Sequence, residues 1–497
     1  MNQFTQLQVV FLLSVLHAMG TSVLMAQQKN DPDRPNIIYI LADDLGYGEL
    51  GSYGQQKIKT PHLDELAKRG MKFSQHYSGS SVCACSRCVL LTGKHTGHAF
   101  IRSNREVGGW GPDEPEGQLP LLNEEVTLAE LLKDRGYQTA AIGKWGLGGP
   151  GSTGHPCYQG FDKFYGYLCQ RVAHNYYPTH LWDNHDVDVL GNPHFKAHQQ
   201  IDEPPIDATG WQQYSGPVYA TDRMIDHALK FIEENRDQPF FLYYATPIPH
   251  VAIQVPEDSL RPYLGQFEDS PYLGTNGYLP HPSPRAAYAG MISRMDRNVG
   301  RIISTVHNLG LDDNTLIIFS SDNGPTFNGG TDAAFFDSAG PLRGLKVSLH
   351  EGGIRVPMIA TWPGKIKPGS TTDMVSGFQD VLPTLAELTG AQTPGDIDGV
   401  SLLPTLLDTG QQQQHDYLYW ELRNQQSVRS GPWKLYRNAN KKGEIKTELY
   451  NLQDDLGETK NLAKDEPEQL QEMLRIAHAA RVPSPEFPSP FDNDRPD

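Results

Sequence analysis

At 497 residues the chain exceeds the usual size of one compact domain, so two unequal domains are expected. Its formal net charge of −17 argues against general binding to nucleic acid or to a membrane surface, and any anionic ligand must therefore meet a local basic pocket. Five cysteines, an odd number, leave at least one thiol unpaired or chemically altered.

The chain opens with the apolar runs Val9-Val10-Phe11-Leu12-Leu13 and Val23-Leu24-Met25, and Ala26 fits a cleavage point, so residues 1–26 read as a signal peptide. Gln8, His17 and Gly20 interrupt the span and leave it short for a membrane anchor. No later stretch is long and apolar enough to cross a bilayer, so the expectation is export to the periplasm or the extracellular space, with no membrane attachment after cleavage.

Pro35-Asn36 leads into Ile37-Ile38-Tyr39-Ile40-Leu41, a short apolar run without alternation, as in a parallel strand buried on both faces. It ends in Asp43-Asp44, and acidic residues past such a strand lie where open α/β sheets bind ligands. Thr60-Pro61 starts a helix through Leu63, Leu66 and Ala67, with Thr60 as its cap. Ser81 to Lys94 then sets Cys83, Cys85, Arg87 and Cys88 ahead of an apolar stretch. A helix starting near Ser86 turns its free N–H groups and positive dipole end toward an anion.

Thr127-x-x-Glu130 is a capping box for a helix through Leu131-Leu132 that stops near Gly136. Tyr137 to Ile142 reads as a strand followed by Gly143-Lys144. Residues 148–220 are rich in Gly, Pro, His and aromatics and read as a specificity region. Tyr165, Tyr167, Tyr176, Tyr177 and Trp182 there either stack on a sugar or pack on one another. Thr221 to Arg236 has helical spacing, Phe240 to Ala245 is a strand, and His250 follows it. Pro280 to Pro284 reads as an exposed connection, Ala286 to Leu309 as a helix, and Thr315 to Phe319 as a strand before Ser321-Asp322-Asn323-Gly324-Pro325. Strands alternating with helices predict an α/β fold, a helix-flanked and largely parallel sheet with a site along one edge.

Asp380–Leu388 and Leu402–Leu407 finish the large domain, taken as residues 34–408, and Gln411 to Gln414 form a polar hinge. Aromatic and β-branched runs at 417–420, 427–429, 433–436 and 448–450 predict a small antiparallel sheet, with Glu466 to Ala480 as a covering helix. Residues 415–482 thus form a smaller α+β domain, and 483–497, rich in Pro and Asp, a loose tail.

Asp43, Asp44, Asp322 and Asn323 are oxygen donors of the kind that hold calcium or magnesium. Cys83, Cys85, Cys88, His95 and His98 also admit a zinc knot or oxidised thiols. Cys157 and Cys169 share a loop-rich region and are candidates to pair.

Cys83-x-Cys85-Ser86-Arg87, then Leu90-Leu91 and Thr92-Gly93-Lys94, resembles the signature of the sulfatase family, Cys-x-Pro-x-Arg followed by apolar residues and Thr-Gly. Cys85 stands in the place of the proline. The resemblance covers nearly all of the chain after the leader and implies an alkaline-phosphatase-like fold with a smaller C-terminal domain of antiparallel sheet plus helix. It implies that a formylglycine-generating maturation enzyme converts Cys83 into formylglycine, with Arg87 holding that residue. It implies calcium, with magnesium as the alternative, bound by Asp43, Asp44, Asp322, Asn323 and the oxygen on residue 83. Lys144, in Gly-Lys-Trp, and Lys346, ahead of Glu351–Pro357, resemble the sulfate-binding lysines, and His250 the histidine that protonates the leaving group. Gly146 stands where the family commonly has a histidine, and His98 and His174 are the candidates to replace it. The implied activity is hydrolysis of a sulfate ester, on a sulfated small molecule or glycan. A phosphomonoester or phosphodiester hydrolase of the same fold and a non-catalytic sulfated-glycan-binding protein are the alternatives.

Overall fold

The computed structural model describes residues 34–108, 116–207 and 209–492, and the signal-peptide reading of residues 1–26 lies outside the described residues. Among the described residues no helix is long and apolar enough to cross a membrane.

The expected run after Pro35 forms β1 (Asn36–Asp43). Its odd and even positions enter two different cores: Ile38, Ile40 and Ala42 face one, while Ile37, Tyr39 and Leu41 face the other. Burial on both faces explains the absence of alternation, and each such aliphatic side chain contributes about 1.5–3 kcal/mol by leaving water. In chain order the other strands of the large sheet are β2 (Met71–Tyr77), β3 (Gln138–Lys144), β4 (Lys163–Tyr167), β5 (His180–Asp183), β6 (Asp186–Val189), β7 (Phe240–Pro249), β8 (Thr315–Ser321), β9 (Arg355–Thr361), β10 (Ser370–Thr372) and β11 (Ser376–Gly377). They stand in the order β10-β2-β9-β8-β1-β7-β3-β4-β5-β6, with β11 also on β2. The central block β8-β1-β7-β3-β4 is parallel, and antiparallel pairings flank it. The expected α/β architecture is therefore present as a mixed, largely parallel sheet.

Helices α1 (Pro61–Arg69), α4 (Ala220–Glu234) and α5 (Pro284–Asn308) cover one face, with Leu63, Met224 and Ile292 in its core. The other face is covered by α2 (Cys83–Thr92), α3 (Leu128–Asp134) and α6 (Val381–Thr389), through Leu90, Leu132 and Leu385. The capping box at Thr127 and Glu130 forms as expected. Thr60 does not cap α1. Asp296 of α5 does, accepting from His62 N at 3.2 Å and Leu63 N at 2.8 Å.

Beyond residue 415, β12 (Leu418–Leu422), β13 (Gln425–Ser430), β14 (Trp433–Ala439) and β15 (Ile445–Asn451) make an antiparallel sheet. One face buries Leu418, Trp420, Leu422 and Tyr436 against Tyr77, Val82 and Ile354 of the large module. The other buries Tyr419, Val428 and Leu435 under α7 (Pro467–Ala479).

Several expectations need correction. Pro280 and Pro284 are buried rather than exposed, because Pro284 begins α5 and packs with it. The polar hinge is tied down: Gln412 accepts from Thr405 N and Oγ1 and donates to Ser401 O. Residues 483–492 of the expected loose tail are anchored, since Phe491 is buried beneath the Arg437 guanidinium and Asp492 pairs with Arg481. All five thiols are free, Cys157 lying beside Asn184 and Cys169 beside Gly117 and Gln118, so these two do not pair. Tyr165, Tyr167, Tyr176 and Tyr177 are core residues, and only Trp182 of the expected sugar-stacking rings keeps partial exposure.

Candidate active site

Parallel strands end on one edge of the sheet, and the site residues are their last residues or the first ones after them. Asp43 ends β1 and Lys144 ends β3, while His250 follows β7 and Asp322-Asn323 follows β8. Asp44 bends away from the strand at φ +68°, a left-handed turn that Asp tolerates better than most residues. That turn is pinned by Asp44 N donating to Asp322 Oδ1 and Leu45 N to Ser321 Oγ. Helix α2 starts at Cys83 and not near Ser86, so Cys83 itself occupies the positive end of the helix. Asn104 accepts from Ala84 N there, at 2.8 Å.

The sulfur of Cys83 lies 3.4 Å from Asp43 Oδ1, 3.5 Å from Lys144 Nζ and 3.7 Å from Lys346 Nζ. Lys144 Nζ donates to Asp43 Oδ2 at 2.5 Å, and Lys346 Nζ lies 2.7 Å from Asp44 Oδ1. Arg87 sends Nε and Nη2 to Asp322 Oδ2 at 3.1 and 2.8 Å, and its Nη1 donates to the carbonyl of Lys144. Asn323 Nδ2 donates to Asp44 Oδ1 at 2.7 Å, and His250 Nε2 stands 3.7 Å from Asp44 Oδ2. The nine residues expected from the sequence, Asp43, Asp44, Cys83, Arg87, Lys144, His250, Asp322, Asn323 and Lys346, thus meet in one cluster, buried except for Lys346, which keeps partial exposure.

Electrostatics divide the carboxylates. Burial works against ionising Asp43, but Lys144, His250, Arg87 and Lys346 outweigh it and hold its carboxyl well below the usual range. Burial and Asp43 push Asp322 up to about 6 in spite of Arg87. Burial works against charge on Lys144 and Lys346, yet Asp43 and Asp44 respectively outweigh it and keep both charged. Burial, then Lys346 and Lys144, lowers His250 to about 4. Burial and Asp43 also raise the Cys83 thiol well above its ordinary value. The thiol is therefore neutral, and an unaltered Cys83 is a poor nucleophile.

Asp43 and Asp44 bring carboxylate oxygens, the donors a hard divalent cation takes, within 4.8 Å of one another, with the Cys83 sulfur and a His250 ring nitrogen inside the same radius. Asn323 adds a buried Oδ1 with no hydrogen-bond partner, an amide oxygen of the type that calcium and magnesium take. The zinc-knot reading does not survive. Cys83 faces the carboxylates, Cys85 lies in the apolar cluster beside Trp420, Cys88 lies in the core under the sheet, and His95 and His98 sit with Asp398.

Of the two candidate replacements for the missing histidine, His98 is bonded to Asp398 away from the cluster. His174 is in place, its ring stacked on His250 with centroids 5.0 Å apart. Gly146 is fixed by packing. Its φ is +85°, and a Cβ there would meet the Gln170 amide at 2.7 Å, so Gln170 fills the space. Sequence reasoning missed Asn104, Gln170, His198 and Tyr278, which come from loops without a motif.

Fold and donor set define a class, the α/β hydrolases of alkaline-phosphatase-like fold that act on esters of tetrahedral oxyanions. The family model described as Sulfatase matches residues 35–391, and one described as N-sulphoglucosamine sulphohydrolase, C-terminal, matches residues 345–479. The chain belongs to the sulfatase family and is a sulfuric ester hydrolase. It is 36% identical over 421 residues to arylsulfatase A of Bos taurus, covering 81% of this chain and 74% of that one. It is 31% identical over 498 residues to N-acetylgalactosamine-6-sulfatase of Mus musculus, covering 97% and 86%. Among solved structures, Ps i-CgsB in complex with k-i-k-neocarrahexaose superposes with a TM-score of 0.71 at 26% identity, covering 89% of this chain and 91% of that one. The phosphonate monoester hydrolase of Agrobacterium radiobacter shares the fold alone, at a TM-score of 0.61 and 20% identity.

Proposed function

We propose that this sulfatase removes sulfate from a sulfated carbohydrate, with Cys83 converted to formylglycine as the nucleophile and Arg87, Lys144, His250 and Lys346 around it. The observation that carries the reading is the position of Cys83 at the positive end of α2, between two lysines whose Nζ atoms lie 3.5 and 3.7 Å from its sulfur. Formylglycine at residue 83 would supply a hydrated aldehyde, a nucleophilic hydroxyl for the sulfur with a second hydroxyl on the same carbon from which the aldehyde could be restored as sulfate is released. Asp43, Asp44, Asp322 and Asn323 would hold calcium, or magnesium, which supplies positive charge beside the reacting oxyanion.

The chain's own residues do the rest. Lys144 and Lys346 neutralise the sulfate group, which a chain of net charge −17 otherwise repels. Arg87, locked on Asp322, fixes the first turn of α2 and with it residue 83. His250 donates Nδ1–H to Val251 O at 2.5 Å, which leaves Nε2 to face the site, where the imidazolium form hands its second proton to the leaving oxygen. The carbohydrate assignment is supported by the named activity of N-acetylgalactosamine-6-sulfatase and by the neocarrahexaose bound in the structural neighbour. Rings at the mouth of the site are His174, His198 and Tyr278.

The same reading has the protein exported before a maturation enzyme's product is put to use, with residues 34–408 as catalytic domain and 415–482 as the small one. Two measurements test it. The mass of the Cys83 peptide must show conversion. Rates on matched sulfate and phosphate esters must favour sulfate. An unconverted Cys83 in a competent host would leave a sulfated-glycan-binding protein in place of the enzyme.

A further inference from the structure

Lys346 enters the site from a loop whose next residue, Val347, sits at φ +74°. This is the left-handed region, where a β-branched residue is a genuine outlier and glycine is the usual occupant. Such a conformation persists only where its surroundings over-determine it. Within the large module, Lys346 N donates to Pro325 O and Val347 N to Ser81 O, both at 2.9 Å.

A further hold, beside the turn closed by Ser348 N on Leu345 O, comes from the small C-terminal sheet. Gln425, the first residue of β13, donates Nε2 to Val347 O at 2.9 Å and accepts from Leu349 N through Oε1 at 3.2 Å. Its amide has only one workable orientation, because Leu349 N–H needs the oxygen and Val347 O needs the N–H, and in that orientation Oε1 also accepts from Tyr436 OH at 3.0 Å. A flipped amide would turn its own N–H groups against Leu349 N–H. Tyr436 is itself braced by His350, the two rings stacked with centroids 4.0 Å apart. Val347 packs its side chain on the apolar cluster shared by both modules, which accounts for valine where glycine would be unstrained.

We propose that Gln425 is a positioning residue for sulfate ester hydrolysis: it clamps the Lys346 loop from the small sheet and so holds Lys346 Nζ beside Asp44 and Cys83. The small sheet is thereby part of the catalytic apparatus without touching substrate. The proposal rests on the reading that Lys346 binds the sulfate group. Gln425→Glu keeps the acceptor for Leu349 N but sets a carboxylate against Val347 O, and so releases one side of the clamp.

A double-mutant cycle between Gln425→Glu and Lys346→Ala tests the coupling. Its readouts are kcat/KM on a sulfate ester and the affinity for inorganic sulfate, the latter independent of formylglycine content. Displacing a charged group by about 1 Å costs up to about a hundredfold, so Q425E alone should lose about ten- to a hundredfold in kcat/KM and weaken sulfate binding. In the K346A background it should change neither further. Val347→Gly, which removes the need for the clamp, should restore most of the loss in Q425E. Tyr436→Phe is the milder variant should Q425E fail to fold, and it should move both readouts in the same direction by less. Equal losses from Q425E with and without Lys346, or no rescue by Val347→Gly, overturn the proposal while leaving the role of Lys346 intact. If K346A leaves sulfate affinity unchanged, the assignment of Lys346 fails and the proposal with it.

Discussion

His198 holds His174 by one imidazole-to-imidazole hydrogen bond, from Nε2 to Nδ1 at 3.0 Å. Tyr278 N–H donates to His198 Nδ1, so the His198 proton lies on Nε2 and the proton of neutral His174 lies on its own Nε2. Burial and His250 keep His174 uncharged. With Nδ1 taken by His198 and the proton on Nε2, His174 has no free lone pair, so it is a donor and not a base and does not replace the proton acceptor absent at Gly146. His174→Ala should raise KM for a sulfated sugar about three- to tenfold, the worth of one ordinary hydrogen bond, with kcat within about twofold. A fall in kcat larger than the rise in KM would assign it to the chemical step.

His250 gives a pH signature. In the free site it titrates at about 4, lowered by burial and by Lys346 and Lys144. A general acid works only while protonated, so kcat/KM should fall as pH rises through that value. Bound sulfate offsets the lysines and raises the group, so the fall in kcat should come at higher pH than the fall in kcat/KM. His250→Ala should cost about two to four orders of magnitude on substrates with poor leaving groups and far less on activated aryl sulfates. Equal losses on both kinds would remove His250 from that role.

Metal removal should stop turnover. Three buried carboxylates and the unpartnered oxygen of Asn323 form the donor set, and a ligand bound only by the folded state also stabilises it. A chelator should abolish ester hydrolysis and lower Tm, and calcium should restore both. Undiminished activity in a demonstrably metal-free sample would exclude the metal from the reaction.

Cys85 sits in the first turn of α2, where proline is tolerated because the N–H groups there lack partners within the helix. Cys85→Pro should therefore fold. It should also raise the formylglycine fraction at residue 83 in a host whose maturation enzyme prefers proline, and activity should rise in proportion. Complete conversion of the unaltered chain, read by peptide mass, would show that cysteine is accepted as readily.

Glu351 anchors the small sheet electrostatically. It accepts from Lys434 Nζ and Tyr77 OH and pairs with Arg355, all buried. Burial opposes its ionisation, but Lys434 and Arg355 bring it down from 4.5 to about 2. A carboxyl lowered on folding contributes stability that is complete above about pH 4.5 and is lost as pH falls toward 2. Glu351→Gln should cost about 3–5 kcal/mol at neutral pH and flatten the urea midpoint between those two values. An unchanged acid limb would place the acid sensitivity elsewhere.

Much of the site was legible because β1, β3, β7 and β8 are buried on both faces, and such strands betray themselves as unbroken apolar runs with polar residues at their ends. Asp43, Lys144, His250 and Asp322 could be found in that way. The clamp on Lys346 could not, since Gln425 and Val347 are 78 positions apart and neither belongs to a motif. The aromatics of residues 148–220 misled for another reason. Tyrosines that fill a core and tyrosines that stack on a sugar have the same composition, and only burial separates them. Phe491, one apolar residue in a polar tail, was enough to anchor what composition alone read as loose.

The pairing of β1 has a consequence in time. Ile37 lies beside Phe241 on one side and Leu316 on the other. During synthesis at about 5–20 residues per second, β1 waits roughly ten to forty seconds for its first neighbour and longer for its second. Cys83 is fully enclosed in the closed fold, so the proposed conversion would have to take place within that interval. How long the chain remains receptive to chemistry at residue 83 is therefore written into the spacing of its strands.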